Sequence, residues 1–217
     1  RLGVIDEKGA FLHPNTLLVL LYYYLLKYRG WSGPCVRNNS TSCLLDRVAA
    51  GLGQKCYEVP VGFKWVSAKM SETGAIIGGE SSGGMAVRGH ISGKDGIYAA
   101  ALLVEMLAVT GKSVSELFAE ITAQYGNPCW AEADFRMTPE RKAELQKLLF
   151  TEKRVPEFVT AVDHISLEDG CKVYFADGSW VICRFSGTEP LLRMAAEADE
   201  QAEAERCIWV WRTFLGL

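Results

Sequence analysis

A guanidinium, two hydroxyls and a glycine follow one another closely in CRFSGTEPLLR, residues 183–193. Arg184 is expected to end one strand and the next strand to begin a few residues later, which leaves Ser186, Gly187 and Thr188 in a tight loop. In such a loop, hydroxyls and an unhindered glycine amide can converge on one anion. A phosphate fits this set of donors, because charge-assisted hydrogen bonds are each worth roughly 1.5–3 kcal/mol.

The same residues also fit a plain turn that binds nothing. In that interpretation Pro190 stops the strand, and Arg184 and Glu189 are solvated or paired with each other. The residues alone favour neither alternative over the other.

A second candidate loop is GGESSGG, residues 78–84, directly after the apolar run AII. Four of its seven residues are glycine, so the backbone can approach a ligand while Glu80 and Ser82 project toward it. A carboxylate beside a hydroxyl suits the vicinal hydroxyls of a sugar. The spacing matches neither nucleotide-binding pattern, G-x-G-x-x-G or G-x-x-x-x-G-K-[ST], and the alternative is a flexible connection.

The composition of the chain limits its partners and its location. A net charge of −3 and a pI near 5.7 give no sign of a broad basic face, so no nucleic acid is expected as a partner. The longest apolar run, residues 17–26, is about half of the roughly 20 residues that a membrane-spanning helix needs. Seven cysteines without a C-x-x-C pair fit a reducing cytosol better than a disulfide framework or a zinc site. The sequence therefore predicts a cytoplasmic protein.

The elements that must position these loops alternate between short β-rich runs and helical segments over the first 125 residues. This alternation predicts a layered α/β domain. Helices are expected at 14–29, at 41–51 with Ser40 or Thr41 as the N-cap, and from Asp95 onward. Ser113 and Glu116 form an S-x-x-E capping box, which is typical of a helix start.

Two faces of these helices can also be predicted. In the third helix, Ile97, Ala101, Val104 and Leu107 recur at helical spacing and are expected to pack against a sheet. In the first helix, the tyrosines at 22–24 are expected at the rim, with their hydroxyls in water.

The residue pattern of the sequence changes at 126–128, where Gly-Asn-Pro marks the boundary of a second domain. Beyond it, WAEADFRM and LLRMAAEA are typical of strands, and Thr138 caps a helix that continues to Phe150. KVYFADGSWVICR predicts a hairpin that turns at Asp177-Gly178. With a last helix over about 200–214, these elements make a small α+β unit.

Three segments in this order, GGESSGG, HISGKDG and RFSGTEP, resemble the sugar-recognition and phosphate-binding loops of the α-D-phosphohexomutases, the phosphoglucomutase/phosphomannomutase family. RLGVIDEKG resembles the segment after the family's metal loop, whose D-x-D-x-D-R pattern would end at Arg1. VGFKW, residues 61–65, resembles a segment that presents a lysine to the active-site cleft. The resemblance covers nearly the whole chain.

The resemblance implies that residues 1–127 are the family's third domain, a layered α/β domain with a mixed sheet, and that residues 128–217 are its fourth, a small TBP-like α+β domain. Family enzymes carry a phosphoserine in the first domain and bind Mg²⁺ through aspartates of the metal loop, both upstream of Arg1. The chain is then the C-terminal half of an isomerase. It is expected to bind hexose phosphates and bisphosphates, to hold no metal itself, and to be inactive without the N-terminal domains.

The resemblance also assigns roles to individual residues. Four residues would bind the phosphate of the substrate: Arg184, Ser186, Gly187 and Thr188. Glu80, Ser82 and Lys64 would bind the sugar, and His90 and Lys94 are candidate catalytic residues in the positive lining of the cleft. The alternatives are a solvated surface lysine and a histidine with a structural role.

In the family mechanism the phosphoserine gives its phosphoryl group to the free hydroxyl of a hexose phosphate. The resulting bisphosphate turns around and returns its other phosphoryl group to the serine. The resemblance favours a phosphoglucomutase that interconverts glucose 1-phosphate and glucose 6-phosphate. A phosphomannomutase or mixed-specificity mutase stays as an alternative, although Gly84 stands where some members place a histidine, and so does a phosphosugar-binding module without catalysis.

Overall fold

The computed structural model describes residues 1–187 and 189–217, and it divides the chain into two compact units, Arg1–Asn127 and Pro128–Leu217. The first unit is referred to as unit 1 and the second as unit 2. The predicted fold class, a layered α/β domain with a mixed sheet followed by a small α+β domain, is confirmed.

Unit 1 contains five helices and six strands among its residues, all of which are described. The helices are α1 Pro14–Lys27, α2 Leu44–Gly51, α3 Phe63–Thr73, α4 Gly96–Thr110 and α5 Val114–Tyr125. The strands are β1 Val4–Ile5, β2 Phe11–Leu12, β3 Cys35–Asn38, β4 Cys56–Val59, β5 Ile77–Gly79 and β6 Met85–Val87. Strands β1 and β2 form a separate antiparallel pair.

The main sheet of unit 1 has the order β4-β3-β5-β6, with β3 parallel to both β4 and β5 and with β6 antiparallel to β5. Because parallel strands end at the same edge of a sheet, the segments after Asn38, Val59 and Gly79 meet there. The predicted sugar loop is the short connection between β5 and β6. The topology therefore places it beside two other strand exits.

Helix α1 is the centre of the core of unit 1, and its tyrosines were predicted wrongly. Tyr22, Tyr23 and Tyr24 are at most 2% exposed. Their hydroxyls bond within the protein, to the Gly33 carbonyl and to the carboxylates of Glu120 and Glu105 respectively. A run that is apolar on all sides buries the whole helix, and the hydroxyls then need protein partners.

The predicted buried face of α4 is also wrong. Ile97 is 85% exposed and Val104 is 65% exposed, whereas the helix buries Ala99, Leu102, Leu103 and Met106. Helix α4 is apolar on both faces, so its periodicity cannot decide which face meets the core.

Helix α2 begins later than predicted, and neither Ser40 nor Thr41 is its N-cap. The cap position is Cys43, and the Leu44 N–H donates to Ser42 Oγ at 3.1 Å. The capping box predicted at Ser113 and Glu116 is confirmed at the start of α5.

Unit 2 is an antiparallel sheet with helices against it. Its strands are β7 Cys129–Arg136, β8 Val162–Ser166, β9 Cys171–Phe175, β10 Trp180–Phe185 and β11 Leu191–Ala198, in the order β7-β11-β10-β9-β8. The helices are α6 Pro139–Gln146, which continues into a π-helical turn over Lys147–Thr151, and α7 Gln201–Leu215. Helix α7 packs on β7, β10 and β11.

Several local predictions for unit 2 are confirmed. The Thr138 hydroxyl caps α6 by accepting from the Arg141 N–H, and Gly178 takes a left-handed conformation in the predicted hairpin turn. The register pairs Arg184 on β10 with Arg193 on β11, so the predicted phosphate loop connects two paired strands.

Within the described residues, no single helix has both the length and the apolar composition to cross a membrane. Helices α4 and α5 pass that test only as a pair, and they are bent by 80° at their junction.

Candidate functional site

The β5–β6 connection is a tight turn, closed by its own backbone. The Glu80 N–H donates to the Gly84 carbonyl and the Gly83 N–H to the Glu80 carbonyl, both at 2.9 Å. Gly83 has a φ of +85°, and a Cβ there would lie 2.9 Å from the Leu2 carbonyl oxygen. Only glycine meets both conditions without strain. The alternative of a flexible connection does not describe this turn.

The Glu80 side chain is 4% exposed, and both carboxylate oxygens have partners. Oε1 accepts from Asn38 Nδ2 at 3.4 Å and from the Gly62 N–H at 3.3 Å. Oε2 lies 2.8 Å from Lys94 Nζ. A buried carboxylate needs such donors to replace the hydrogen bonds that it loses to water, and the three come from three different segments of unit 1.

Lys94 reaches Glu80 by passing over Gly84. A Cβ at position 84 would lie 2.7 Å from Lys94 Cδ and 2.8 Å from Cε, so a side chain there would require Lys94 to shift. The Lys94 ammonium also lies 5.1 Å from the centre of the Phe63 ring. The glycine at 84 therefore leaves open the path by which Lys94 reaches Glu80.

Two further predicted sugar ligands lie on exposed positions near this turn. Ser82 is exposed at the tip of the turn itself. Lys64 is exposed in the first turn of α3, with its ammonium 4.7 Å from the centre of the Trp65 ring. Because Gly62 and Phe63 both contact the Glu80–Lys94 pair, the start of α3 belongs to the same site.

His90 is tied to the start of α4. Its Nε2 lies 2.7 Å from Asp95 Oδ2, and its ring stacks on Tyr98 with the centroids 4.3 Å apart. Asp95 is the N-cap of α4 and accepts from the Ile97 and Tyr98 N–H groups. The His90 hydrogen bond is the main cause that lowers the pKa of Asp95, so the carboxylate stays ionised and orients the imidazole.

The predicted phosphate loop in unit 2 begins at the end of β10. Arg184 Nε donates to Asp169 Oδ1 at 2.9 Å. The Ser186 backbone is held on both sides, because its N–H donates to the Leu191 carbonyl at 2.8 Å and its carbonyl accepts from Lys142 Nζ at 2.9 Å. Gly187 is exposed and has open space where a side chain would be.

The predicted fourth phosphate ligand, Thr188, lies outside the described residues. Ser186 Oγ accepts from the Glu189 N–H at 3.2 Å. Glu189 pairs with Arg193 at 3.0 Å, so the alternative in which Glu189 pairs with Arg184 is not observed. The turn thus has Arg184, Arg193 and Lys142 around it.

Sequence reasoning missed several residues at both loops. Asn38 and Thr41 contact the Glu80 turn. Both are polar residues at or just after the end of a buried strand, a pattern that could have indicated their place at the site. Lys142 and Asp169 contact the Arg184 turn from separate elements, and nothing in their local sequence indicates that contact.

Comparisons with known proteins agree with this arrangement. Residues 13–125 match "Phosphoglucomutase/phosphomannomutase, alpha/beta/alpha domain III", and residues 136–208 match "Phosphoglucomutase/phosphomannomutase, C-terminal domain". The structure of a putative phosphomannomutase from Thermus thermophilus superposes with a TM-score of 0.79 at 28% identity, over 99% of this chain and 43% of that one.

Curated relatives give the same result. A phosphoglucomutase/phosphomannomutase of Thermococcus kodakarensis is 34% identical over 94% of this chain and 42% of its own length. A phosphoglucomutase of Komagataeibacter xylinus is 32% identical over 93% of this chain and 39% of its own length. The chain thus spans about two fifths of these relatives. From its two matched domains, it belongs to the phosphoglucomutase/phosphomannomutase family.

Proposed function

We propose that this chain is the substrate-binding C-terminal half of a phosphohexomutase, in which the Glu80 turn binds sugar hydroxyls and the Arg184 turn binds the phosphate. The observation that carries the proposal is the buried Glu80 carboxylate, fixed by Asn38, Gly62 and Lys94 at the exit of β5. A buried anion held at a turn that ends in the exposed Ser82 is suited to accept hydrogen bonds from hydroxyls in a defined direction.

The phosphate end of the substrate would be bound in unit 2. Three cationic side chains surround the turn after β10: Arg184, Arg193 and Lys142. The guanidinium of Arg184, the Ser186 hydroxyl and the Gly187 amide supply donors for phosphate oxygens. Each charge-assisted bond is worth roughly 1.5–3 kcal/mol, enough for a phosphate monoester to bind at a solvent-exposed turn.

The chemical step would be carried by groups that precede Arg1 in a longer protein. A phosphoserine there would transfer its phosphoryl group to the free hydroxyl of the bound hexose phosphate and recover the second phosphoryl group of the bisphosphate. The family's Mg²⁺ would stabilise the charge on the transferring phosphoryl group. Within the described residues, no group of three or more His, Cys, Asp or Glu side chains is arranged to hold a metal ion.

For the substrate we propose glucose 1-phosphate and glucose 6-phosphate. A histidine in place of Gly84 would displace Lys94 from its path to Glu80, which separates this chain from members that carry one. The named activities of relatives include phosphoglucomutase, phosphomannomutase and probable phosphoglucosamine mutase, so other hexose phosphates are the competing substrates. We also propose a cytoplasmic location, because all seven cysteines, each in the described part, are free thiols.

Binding and turnover measured together test this proposal. Calorimetry of the 217-residue chain should show binding of glucose 6-phosphate, and Arg184→Ala should weaken it. A coupled assay should show no conversion of glucose 1-phosphate by this chain but conversion by a protein that also carries the upstream domains. Turnover by the isolated chain, free of contaminating mutase, contradicts the proposal that the chemical step needs the upstream domains. Binding without turnover in the longer protein supports a non-catalytic phosphosugar-binding module instead.

A further inference from the structure

The connection from β3 to α2 lies beside the Glu80 turn and is built from buried polar side chains. Asn38 is 2% exposed and Thr41 is 1% exposed. Polar groups at such depth must be hydrogen-bonded, and their partners show what the segment does.

The bonds of Asn38 define the direction of its amide. Oδ1 accepts from the Ser40 N–H at 3.0 Å and from the Thr41 hydroxyl at 2.7 Å. Because the Ser40 N–H can only donate, the oxygen of the amide must face it, and Nδ2 is therefore directed to Glu80 Oε1 at 3.4 Å. The amide is a fixed donor to the carboxylate.

Thr41 holds the next residue of the turn. Its hydroxyl gives its proton to Asn38 Oδ1 and accepts from the Ser81 N–H at 3.0 Å. One hydroxyl thus links the orientation of the Asn38 amide to the position of the backbone between Glu80 and Ser82.

A buried arginine anchors this segment from inside the unit. Arg37 Nη1 donates to the carbonyls of Asn38 and Thr41, each at 3.4 Å. The same guanidinium pairs with Asp46 at 2.5 Å and with Glu58 at 2.6 Å. The segment is therefore tied to α2 and β4. This anchoring fixes the backbone from which Asn38 and Thr41 bond to the Glu80 turn.

From these contacts we infer that Asn38 and Thr41 are positioning residues for sugar recognition, which set the direction of the Glu80 carboxylate and the place of Ser82. This inference rests on the proposed function. The physical reason is that hydroxyl recognition depends on the direction of the acceptor, whereas phosphate binding by unit 2 does not involve the Glu80 turn. Loss of either residue should therefore weaken binding of a hexose phosphate without weakening binding of inorganic phosphate.

Two test variants and one control variant test the inference in the 217-residue chain. Thr41→Val removes the hydroxyl at nearly constant volume, and Thr41→Ser keeps it as the control. Asn38→Asp keeps both acceptor bonds, removes the donor to Glu80 and places a second carboxylate beside it. Calorimetry with glucose 6-phosphate and with inorganic phosphate gives the readout, and thermal unfolding checks that each variant folds.

For Thr41→Val, the affinity for glucose 6-phosphate should fall about fivefold, the loss of roughly one neutral hydrogen bond. For Asn38→Asp the fall should be about tenfold, because like charges repel. Thr41→Ser should stay within about twofold of the wild type, and phosphate affinity should not change in any variant. If Thr41→Val does not fold, Asn38→Asp and Thr41→Ser decide the result.

Two results would overturn the inference. One is unchanged affinity for glucose 6-phosphate in a folded Thr41→Val or Asn38→Asp variant. The other is an equal loss for glucose 6-phosphate and for inorganic phosphate, which indicates a general structural role. A wild-type chain that binds both probes equally refutes the proposed function itself, a failure that is seen before any variant is made.

Discussion

The two candidate loops of this protein are built in opposite ways. In unit 1 the Glu80 turn surrounds a buried anion that accepts from Asn38, Gly62 and Lys94. In unit 2 the turn after β10 has its backbone held at Ser186, while Gly187 and the cationic side chains around it face solvent to differing degrees. The difference fits the two ligand chemistries that we propose. Hydroxyls need an acceptor with a fixed direction, whereas a phosphate has equivalent oxygens and is bound mainly by charge.

The largest expected effect comes from Arg37, the buried arginine that anchors the segment beside the Glu80 turn. Arg37→Ala leaves Asp46 and Glu58 without their guanidinium and removes the bonds to the carbonyls of Asn38 and Thr41. Breaking such a network costs about 3–5 kcal/mol, and we expect the low end because both carboxylates can regain water.

Denaturant unfolding followed by hydrogen exchange, resolved for each unit, measures this effect. The loss should be confined to residues 1–127. Lys69→Ala, which breaks an ion pair with Glu72 on the surface of the same unit, serves as the control and should cost less than about 1 kcal/mol. If Arg37→Ala lowers the free energy of unfolding as little as the control does, the segment beside the Glu80 turn does not depend on the buried Arg37 guanidinium.

The second prediction concerns the other loop. Arg184→Ala should weaken binding of glucose 6-phosphate and of inorganic phosphate alike, by about tenfold or more, because it removes a charge-assisted bond to the phosphate. Arg193→Ala should have a smaller effect, since that side chain is 49% exposed whereas the Arg184 side chain is 22% exposed. Calorimetry of both variants checks the order. Equal affinities of Arg184→Ala and the wild type remove the phosphate assignment.

A third prediction sharpens the role of the glycine at position 84. Gly84→Ala puts a Cβ 2.7 Å from Lys94 Cδ and should displace Lys94 from Glu80. Affinity for glucose 6-phosphate should fall about threefold, with phosphate affinity unchanged, because the carboxylate loses one fixed donor. Gly93→Ala is the matched control, since a Cβ there meets nothing within 4 Å. Indistinguishable affinities in the two variants would mean that the ion pair does not contribute to binding.

The last prediction is a pH dependence that belongs to the core of unit 1. Burial raises the pKa of Tyr23 to about 12, and the Glu120 carboxylate beside it acts in the same direction. The protonated form is thus favoured in the folded state, so this contribution to stability is complete below pH 10 and is lost as the pH rises from about 10 to 12.

The comparison of Tyr23→Phe with the wild type measures this term. Between pH 9 and pH 11.5 the free energy of unfolding of the variant should fall less steeply than that of the wild type. Identical slopes would show that Tyr23 titrates in the folded protein as it does in water.

The sequence predicted those features that short segments determine. The Asp177-Gly178 turn, the Thr138 cap and the capping box at Ser113 depend on neighbours within a few residues, and all three are confirmed. The start of α2 was wrong because the Thr41 hydroxyl bonds to Asn38 and to Ser81, which is 40 residues away, instead of capping the helix.

Long-range contacts also explain why parts of the site were missed. That Glu80 is buried, that Lys94 passes over Gly84 and that Lys142 reaches Ser186 all result from how strands bring distant segments together. Likewise, the exposed face of α4 could not be chosen, since both faces are apolar. Motifs identified the loops, but only the fold shows which side chains hold them.

The measurement that tests the account most directly is calorimetry of the wild-type chain with glucose 6-phosphate, inorganic phosphate and glucose. If the Glu80 turn binds the sugar while the Arg184 turn binds the phosphate, glucose 6-phosphate should bind at least about tenfold more tightly than glucose or inorganic phosphate. An affinity for glucose 6-phosphate no greater than that for inorganic phosphate would contradict it.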